Sequence, residues 1–308
     1  MSRCQRLYPT GARRGRRAPL PAWLARVCIV AALLSLGGCS STTFLYNRLH
    51  IILPWYLGGY VDLERDQKDY LDELLAPFLA WHRGEELGSY VAVIEDLEAG
   101  LDRELTAADV AAVSQQFEQA WFRLEARALD WLLDLGEQLS DEQIEQFIDT
   151  LREKQRDLEE EYLSRSDKKF REESYESLRD NLQDYLGRLD REQRAVLERA
   201  SADLKRSDRV WLEERAAWID RLATLLRREP GWQEAIRQAI AKRDETVSRE
   251  YVETYSHNLA VIEQAIATVV NSRTERQDRR LRRELADLRE DLLVLIEQGE
   301  RRAAAEAA

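Results

Sequence analysis

Apolar side chains recur every three or four residues through most of the chain, and this spacing limits it to amphipathic helices that pack against one another. One stripe consists of Val110, Val113, Phe117, Trp121, Leu124, Ala128, Trp131 and Leu135. A second consists of Leu281, Leu285, Leu288, Leu292 and Leu295, and a third runs from Trp232 to Val269 with a gap at Arg243–Asp244. No comparable run of alternating apolar residues predicts a strand. We therefore predict an all-α fold, an elongated bundle of roughly seven to nine mostly antiparallel helices.

Short polar motifs indicate where several of these helices begin. They are LTAAD at 105–109, LSDEQ at 139–143, LDREQ at 189–193 and RTERQ at 273–277, with a fainter version, LERDQ, at 63–67. The second and fifth positions have the spacing of a capping box, in which two side chains satisfy free amides at a helix start. In LSDEQ, for example, the Ser140 oxygen accepts from the amide of Gln143, whose side chain bonds back to the Ser140 amide.

The first 38 residues differ in composition from the rest of the chain. They contain seven arginines and no acidic residue, and their apolar run at 27–36 is too short to cross a bilayer. The run ends in Leu-Gly-Gly-Cys at 36–39, which resembles a bacterial lipobox. We predict a lipoprotein signal peptide at 1–38; the resemblance implies a lipid on the sulfur of Cys39 and, because Ser40 follows, transfer to the outer membrane. An ordinary cleaved signal with a chance cysteine is the alternative.

Removal of this signal makes the chain strongly acidic. The mature part has 39 basic and 58 acidic residues, a balance that argues against binding to nucleic acid. Membrane attachment is then expected to depend on acyl chains at Cys39. Because Cys4 and Cys28 leave with the signal, Cys39 is the only mature cysteine, and this excludes disulfides and thiol chemistry.

The predicted organisation has four parts. After the signal come a lipidated anchor with an aromatic juxtamembrane segment at 39–61, an all-α periplasmic domain at 62–299 and a flexible tail at 300–308. The aromatic segment supplies the candidate interaction residues Phe44, Tyr46, Trp55, Tyr56 and Tyr60. Three interpretations stay open for it: core packing, contact with the bilayer interface, or docking of a partner. We expect core packing, with Trp55 buried and the helix broken at Pro54.

Three motifs point to a family. The chain contains YNRL at 46–49, PWYLGGYV at 54–61 and HRGEELGSY at 82–90. Together they resemble a family of uncharacterised proteobacterial outer-membrane lipoproteins, a domain of unknown function. Gly58–Gly59 departs from the acidic residues expected there. The resemblance implies membership and the same compartment, and it carries no activity.

A second resemblance concerns the capping motifs. LSDEQ and LDREQ are similar to the LTxxQ motif of small periplasmic helical chaperones, which are shorter, cradle-shaped dimers. This similarity implies a chaperone-like role, whereas a simple need for helix caps explains the same residues.

The sequence offers no set of catalytic residues. Its three histidines, His50, His82 and His257, are far apart, and no Gly-rich phosphate loop or G-x-S-x-G motif occurs. For His82 we expect a buried, hydrogen-bonded structural role, and for the basic patch at 164–174 a helix connection or a solvated first turn. We predict a non-catalytic, cofactor-free and metal-free module that binds envelope proteins as a scaffold or chaperone. A purely structural lipoprotein and a carboxylate-based cell-wall enzyme are the alternatives.

Overall fold

The computed structural model describes residues 41–306, and every regular element in that range is helical. Nine helices of thirteen or more residues confirm the predicted all-α bundle. The helices are α1 (Ser41–Tyr46), α2 (Leu49–Leu57), α3 (Arg65–Trp81), α4 (Leu87–Gly100), α5 (Ala107–Gln138), α6 (Asp141–Leu163), α7 (Asp167–Leu186), α8 (Arg191–Asp203), α9 (Asp208–Leu225), α10 (Trp232–Ala241), α11 (Arg243–Thr246), α12 (Arg249–Asn271) and α13 (Glu275–Glu306). A π-helical turn, His82–Glu86, joins α3 to α4.

The predicted capping boxes start five of these helices. The N-cap and partner residues are Glu64 and Gln67 for α3, Thr106 and Asp109 for α5, Ser140 and Gln143 for α6, Asp190 and Gln193 for α8, and Thr274 and Gln277 for α13. Single serine caps, Ser166 and Ser248, start α7 and α12. Local sequence therefore fixes most helix starts, since such a cap stabilises a helix by about 1 kcal/mol.

Hydrogen bonds between distant residues show that neighbouring long helices are antiparallel. At one end of the α5–α12 pair, the side chain of Asn271 donates to the Leu105 carbonyl at 2.8 Å and accepts from the Leu105 amide at 2.9 Å. Further along the same pair, Ser114 of α5 is hydrogen-bonded to Glu263 of α12, so the two helices run in opposite directions. Helices α4 and α13 also run antiparallel, because Arg282 bonds to Asp102 at 2.9 Å, just past the end of α4, and Arg289 bonds to the earlier residue Glu98 at 2.7 Å.

The predicted stripe of α13 is fully buried in the core, whereas the other two predicted stripes are buried only in part. All five stripe leucines of α13 are buried, and they pack in the largest apolar cluster with residues of α4, α7, α8 and α12. On α12, however, the buried positions include polar residues that periodicity does not find. Asn258 is one of them: its side chain donates to the Lys205 carbonyl and accepts from the Lys205 amide, both at 2.8 Å.

One feature of the amino-terminal segment differs from expectation. Helix α2 continues through Pro54 to Leu57, so the predicted break at Pro54 is wrong. The missing proline amide frees only the carbonyl of His50, and His50 is exposed, so water can satisfy that carbonyl. The break lies instead at residues 47–48, between α1 and α2.

Candidate functional site

The candidate interaction segment has two opposite faces. Its inner face consists of Tyr46, Leu49, Leu53 and Leu57, which contact the core clusters. Its outer face consists of Phe44, Ile51, Trp55 and Tyr56, which are exposed. We call these the inner face and the outer face of the amino-terminal segment. Because almost every side chain here is apolar, periodicity alone could not decide which face turns inward.

The predicted core packing is therefore right for some of the candidate aromatic residues and wrong for others. The Tyr46 side chain is 8% exposed, as core packing predicts. Trp55 is 78% exposed, so its predicted burial is wrong. Trp55 and Ile51 lie four residues apart on α2, on the side opposite Leu53 and Leu57. Because Leu53 and Leu57 pack on the bundle, Trp55 and Ile51 face outward.

Tyr60, the last candidate residue, belongs with the inner side. Tyr60 is half-buried, and its ring centroid lies 6.3 Å from that of Phe147. The Nζ of Lys154 lies 4.8 Å from the centroid of the Tyr60 ring. Its hydroxyl lies 3.0 Å from that of the exposed Tyr56. Burial raises the pKa of Tyr60, and the neighbouring Tyr56 adds to this effect. The end of the segment is thus tied to α6.

The motifs at 46–49 and 82–90 meet in space and form a polar cluster under α1. It contains Tyr46, Asn47, His82, Arg83, Glu86 and Tyr90, and we call it the motif cluster. Its centre is the π-helical turn, a rare element that widens the helix between α3 and α4 and is frequent at functional sites. Sequence spacing did not predict this turn.

His82 bridges two tyrosines. The Tyr46 hydroxyl lies 2.7 Å from the histidine Nδ1, and the Tyr90 hydroxyl lies 3.4 Å from Nε2. Burial lowers the pKa of His82 to about 4, with Glu86 opposing the shift and Arg83 adding to it. A neutral imidazole has one donor and one acceptor, so one tyrosine donates to the ring and the other accepts from it. The expected hydrogen bonding of His82 is confirmed, and the side chain is half-buried.

Arg83 ties α1 to α13. Its guanidinium donates to the Asn47 Oδ1 at 3.0 Å and to the Gln298 Oε1 at 3.4 Å, and its Cζ lies 4.9 Å from the centroid of the Tyr46 ring. The stem of Arg83 passes close to Gly299, where an added Cβ would lie 2.7 Å from the arginine Cδ. Only glycine leaves room for this buried arginine.

Two carboxylates complete the connections around the segment. Glu86 is buried and accepts from Arg123 of α5 at 2.7 and 3.0 Å. Asp291 of α13 is buried and accepts from the Thr43 hydroxyl at 3.3 Å, and burial raises its pKa. The amino-terminal segment is therefore hydrogen-bonded to α13 at two residues, Asp291 and Gln298, which lie about two helical turns apart.

The glutamines of the capping motifs have a second role that the sequence did not reveal. Gln67 and Gln143 donate to each other's Oε1 at 2.8 and 2.7 Å, and Gln193 and Gln277 do so at 3.0 and 2.9 Å. Each of the four also donates to the carbonyl five residues before its partner. We call these two sets the glutamine pairs; each joins the starts of two helices. The Gln shared by most of the motifs at position five was the only sequence feature that could have indicated these pairs.

The basic patch at 164–174 is a helix connection and a first turn, as expected. Arg165 lies in the connection between α6 and α7, where Asp208 and Glu173 accept from it. Tyr162 and Phe170 flank the guanidinium, with their ring centroids 4.7 and 5.0 Å from its Cζ.

Possible metal ligands and a small cavity bear on the chemistry available to the bundle. Within residues 41–306, no three His, Cys, Asp or Glu side chains lie together as metal ligands. A cavity of about 160 Å³ lies between α6 and α9, lined by Arg152, Gln155, Arg156, Ala216, Ile219 and Asp220. Asp220 is the one carboxylate among these lining residues.

The predicted signal peptide, lipobox and Cys39 lie outside the described residues. Among residues 41–306, every helix is either too short or too polar to span a bilayer.

These features define the protein as an all-α helical bundle whose amino-terminal segment is bonded to its last helix through a buried polar cluster. The chain belongs to a family of unknown function, DUF6279, whose profile matches residues 59–252. That range contains the π-helical turn and begins after Trp55. Neither a curated protein nor a solved structure matches the chain significantly.

Proposed function

We propose that the protein is a non-catalytic lipoprotein of the outer membrane, facing the periplasm, in which Cys39 carries the anchor and the helical bundle acts as an interaction scaffold. Envelope proteins are the expected partners. The class of partner follows from the compartment that the lipobox implies, and not from a recognised binding pocket.

The observation that carries this proposal is the short sequence distance between Cys39 and the bundle. Thr43, which bonds to Asp291 of α13, follows Cys39 by four residues. From Thr43 onward the segment is bonded to the bundle through Asp291, Gln298 and His82. A lipid on Cys39 would thus be joined to a folded domain without a long flexible linker. Such a domain has a restricted height and orientation at the membrane, which suits a scaffold.

The scaffold role is favoured over a chaperone role by the glutamine pairs. The glutamines of the two motifs that resemble LTxxQ cap helices and bond to Gln67 and Gln277, so the architecture explains these residues. The mature chain also lacks methionine, a residue that adaptable client-binding surfaces often use.

Metabolic labelling tests the anchor. Cells that express the full chain are grown with labelled palmitate, and the wild type should incorporate label and fractionate with the outer membrane. Cys39→Ser should incorporate none, while the neighbouring substitution Thr42→Ser serves as the matched control. Equal labelling of wild type and Cys39→Ser would refute the proposed lipid site.

An aggregation assay separates scaffold from chaperone. The purified mature protein is added to an unfolding client enzyme, and light scattering is followed. A scaffold without client binding should leave scattering unchanged at equimolar protein. Strong suppression would instead favour the chaperone-like role.

A further inference from the structure

The outer face of the amino-terminal segment is unusual for a water-exposed surface. Nine large apolar side chains are exposed within residues 41–306, and the four most exposed are Trp55, Ile51, Tyr56 and Phe44. All four lie within thirteen consecutive residues. Contiguous exposed apolar groups of this kind generally indicate a contact surface.

Packing within the bundle does not account for this face. The inner face of the same helices already supplies the core contacts through Tyr46, Leu53 and Leu57. The segment is therefore apolar on both sides, with one side covered by the bundle and the other uncovered. A helix that is apolar all round is normally buried on all sides, so an external apolar or interfacial environment is required for the outer face.

Acidic residues are absent from the amino-terminal segment and begin directly after it. All 58 acidic residues lie at or after Asp62. Arg48 is the only Lys, Arg, Asp or Glu residue in residues 41–61, and it lies on the exposed side with its Cζ 3.3 Å from the centroid of the Phe44 ring. The outer face thus lacks the carboxylates that phosphate headgroups would repel, and it carries one guanidinium that can bind phosphate.

We propose that the outer face lies in the interfacial region of the phospholipid bilayer, with Trp55, Tyr56 and Phe44 at the level of the headgroups and Ile51 among the upper acyl chains. Tryptophan and tyrosine favour this region because one end of each ring is apolar and the other is polar. The chain outside the structure supports a lipid occupant, because Cys39 precedes α1 by two residues and its lipid would hold this face at the membrane. In that respect the inference rests on the proposed function.

The orientation of the bundle follows from this contact. With the outer face on lipid, the inner face, the motif cluster and the acidic helices lie on the side away from the bilayer. The hydrogen bonds of Thr43 and Asn47 to α13 then fix the bundle in one orientation relative to the membrane.

Fluorescence depth measurement tests the proposal on the lipidated full chain. The acylated protein is purified and reconstituted in phosphatidylcholine vesicles. Because Cys39 carries the lipid, an introduced cysteine is the only free thiol, and Ile51→Cys and Val252→Cys are each labelled with an environment-sensitive fluorophore. Val252 is an exposed apolar residue on α12 and serves as the matched control. The label at 51 should be quenched several-fold more by lipid-borne nitroxide, and several-fold less by iodide, than the label at 252.

A second variant and the alternative outcomes make the test decisive. Adding Trp55→Ser to Ile51→Cys should reduce quenching by lipid nitroxide, whereas Leu163→Ser, at another exposed apolar site, should not. An acylated, vesicle-bound protein whose two labels behave alike would overturn this inference alone. Protection from iodide without nitroxide quenching would show that a second copy of the chain covers the face, and would also overturn it. If mass spectrometry of the purified protein detects no acyl chain, both the proposed lipoprotein and this inference are overturned.

Discussion

At the scale of single residues, the motif at 82–90 is explained by the contacts of its side chains. His82 joins two tyrosines, Arg83 reaches α13, and Glu86 accepts from Arg123 of α5. These ionisable and polar groups satisfy one another, as buried polar groups must. Their common effect is to hold the amino-terminal segment on the bundle.

His82 predicts a pH-dependent stability. The pKa of histidine in the unfolded chain is near 6.5, and burial lowers that of folded His82 to about 4. Between these values the unfolded chain binds a proton that the folded ring does not, so this histidine's contribution to stability falls as pH falls from 6.5 to 4. The loss amounts to about 3 kcal/mol. His82→Gln should lose less stability over this range than the wild type in urea unfolding at each pH.

The control for this measurement is His50→Gln, an exposed position on α2. It should reproduce the pH dependence of the wild type. The groups that face His82 are Tyr46, Tyr90, Arg83 and Glu86, and all of them remain in both variants. Parallel curves for wild type and His82→Gln would show that His82 is not held neutral in the folded protein.

Gly299 provides a second test at this scale. Gly299→Ala places a methyl group against the stem of Arg83, whose head is fixed by Asn47 and Gln298. Overpacking of this kind costs about 1–3 kcal/mol, and the better helix propensity of alanine offsets about 1 kcal/mol of it. The free energy of unfolding should fall. At Gly88, where an added Cβ meets nothing within 4 Å, Ala should leave stability unchanged or raise it.

At the scale of elements, the sequence predicted most helices because helix starts and apolar periodicity are local signals. Capping boxes and the α13 stripe needed no knowledge of the fold. The glutamine pairs, the buried Asn258 and the π-helical turn depend on partners far away in the sequence. Local pattern cannot specify such partners, and they are the features that periodicity missed.

The buried glutamine pair predicts coupling between two helix starts. Gln193→Ala removes one partner and leaves the buried Gln277 amide without its mutual bond, so it should lower the free energy of unfolding by about 1–3 kcal/mol. Gln277→Ala should cost a similar amount. The double variant should cost clearly less than the sum of the two. Additive costs in urea unfolding would show that the two residues act independently.

At the scale of the whole molecule, the all-α fold was predictable and the orientation of the amino-terminal segment was not. The first two stripes each lie on one helix, α5 and α13, and the third is divided between α10 and α12. The segment at 43–60 is apolar on both sides, so the sequence could not show which side packs inward. The structure places Tyr46 inside and Trp55 outside, and this division connects the fold to the proposed membrane contact.

The most direct test of this account compares Tyr46→Ala with Trp55→Ala in thermal and urea unfolding of the protein without lipid. Loss of a buried aromatic side chain costs about 3–5 kcal/mol, and Tyr46→Ala also removes the hydroxyl bonded to His82. Trp55 is exposed, so Trp55→Ala should change stability by less than about 0.5 kcal/mol. The account predicts a large drop for Tyr46→Ala and a curve for Trp55→Ala that overlays the wild type. Equal destabilisation by both substitutions would contradict the two-faced segment and, with it, the membrane contact.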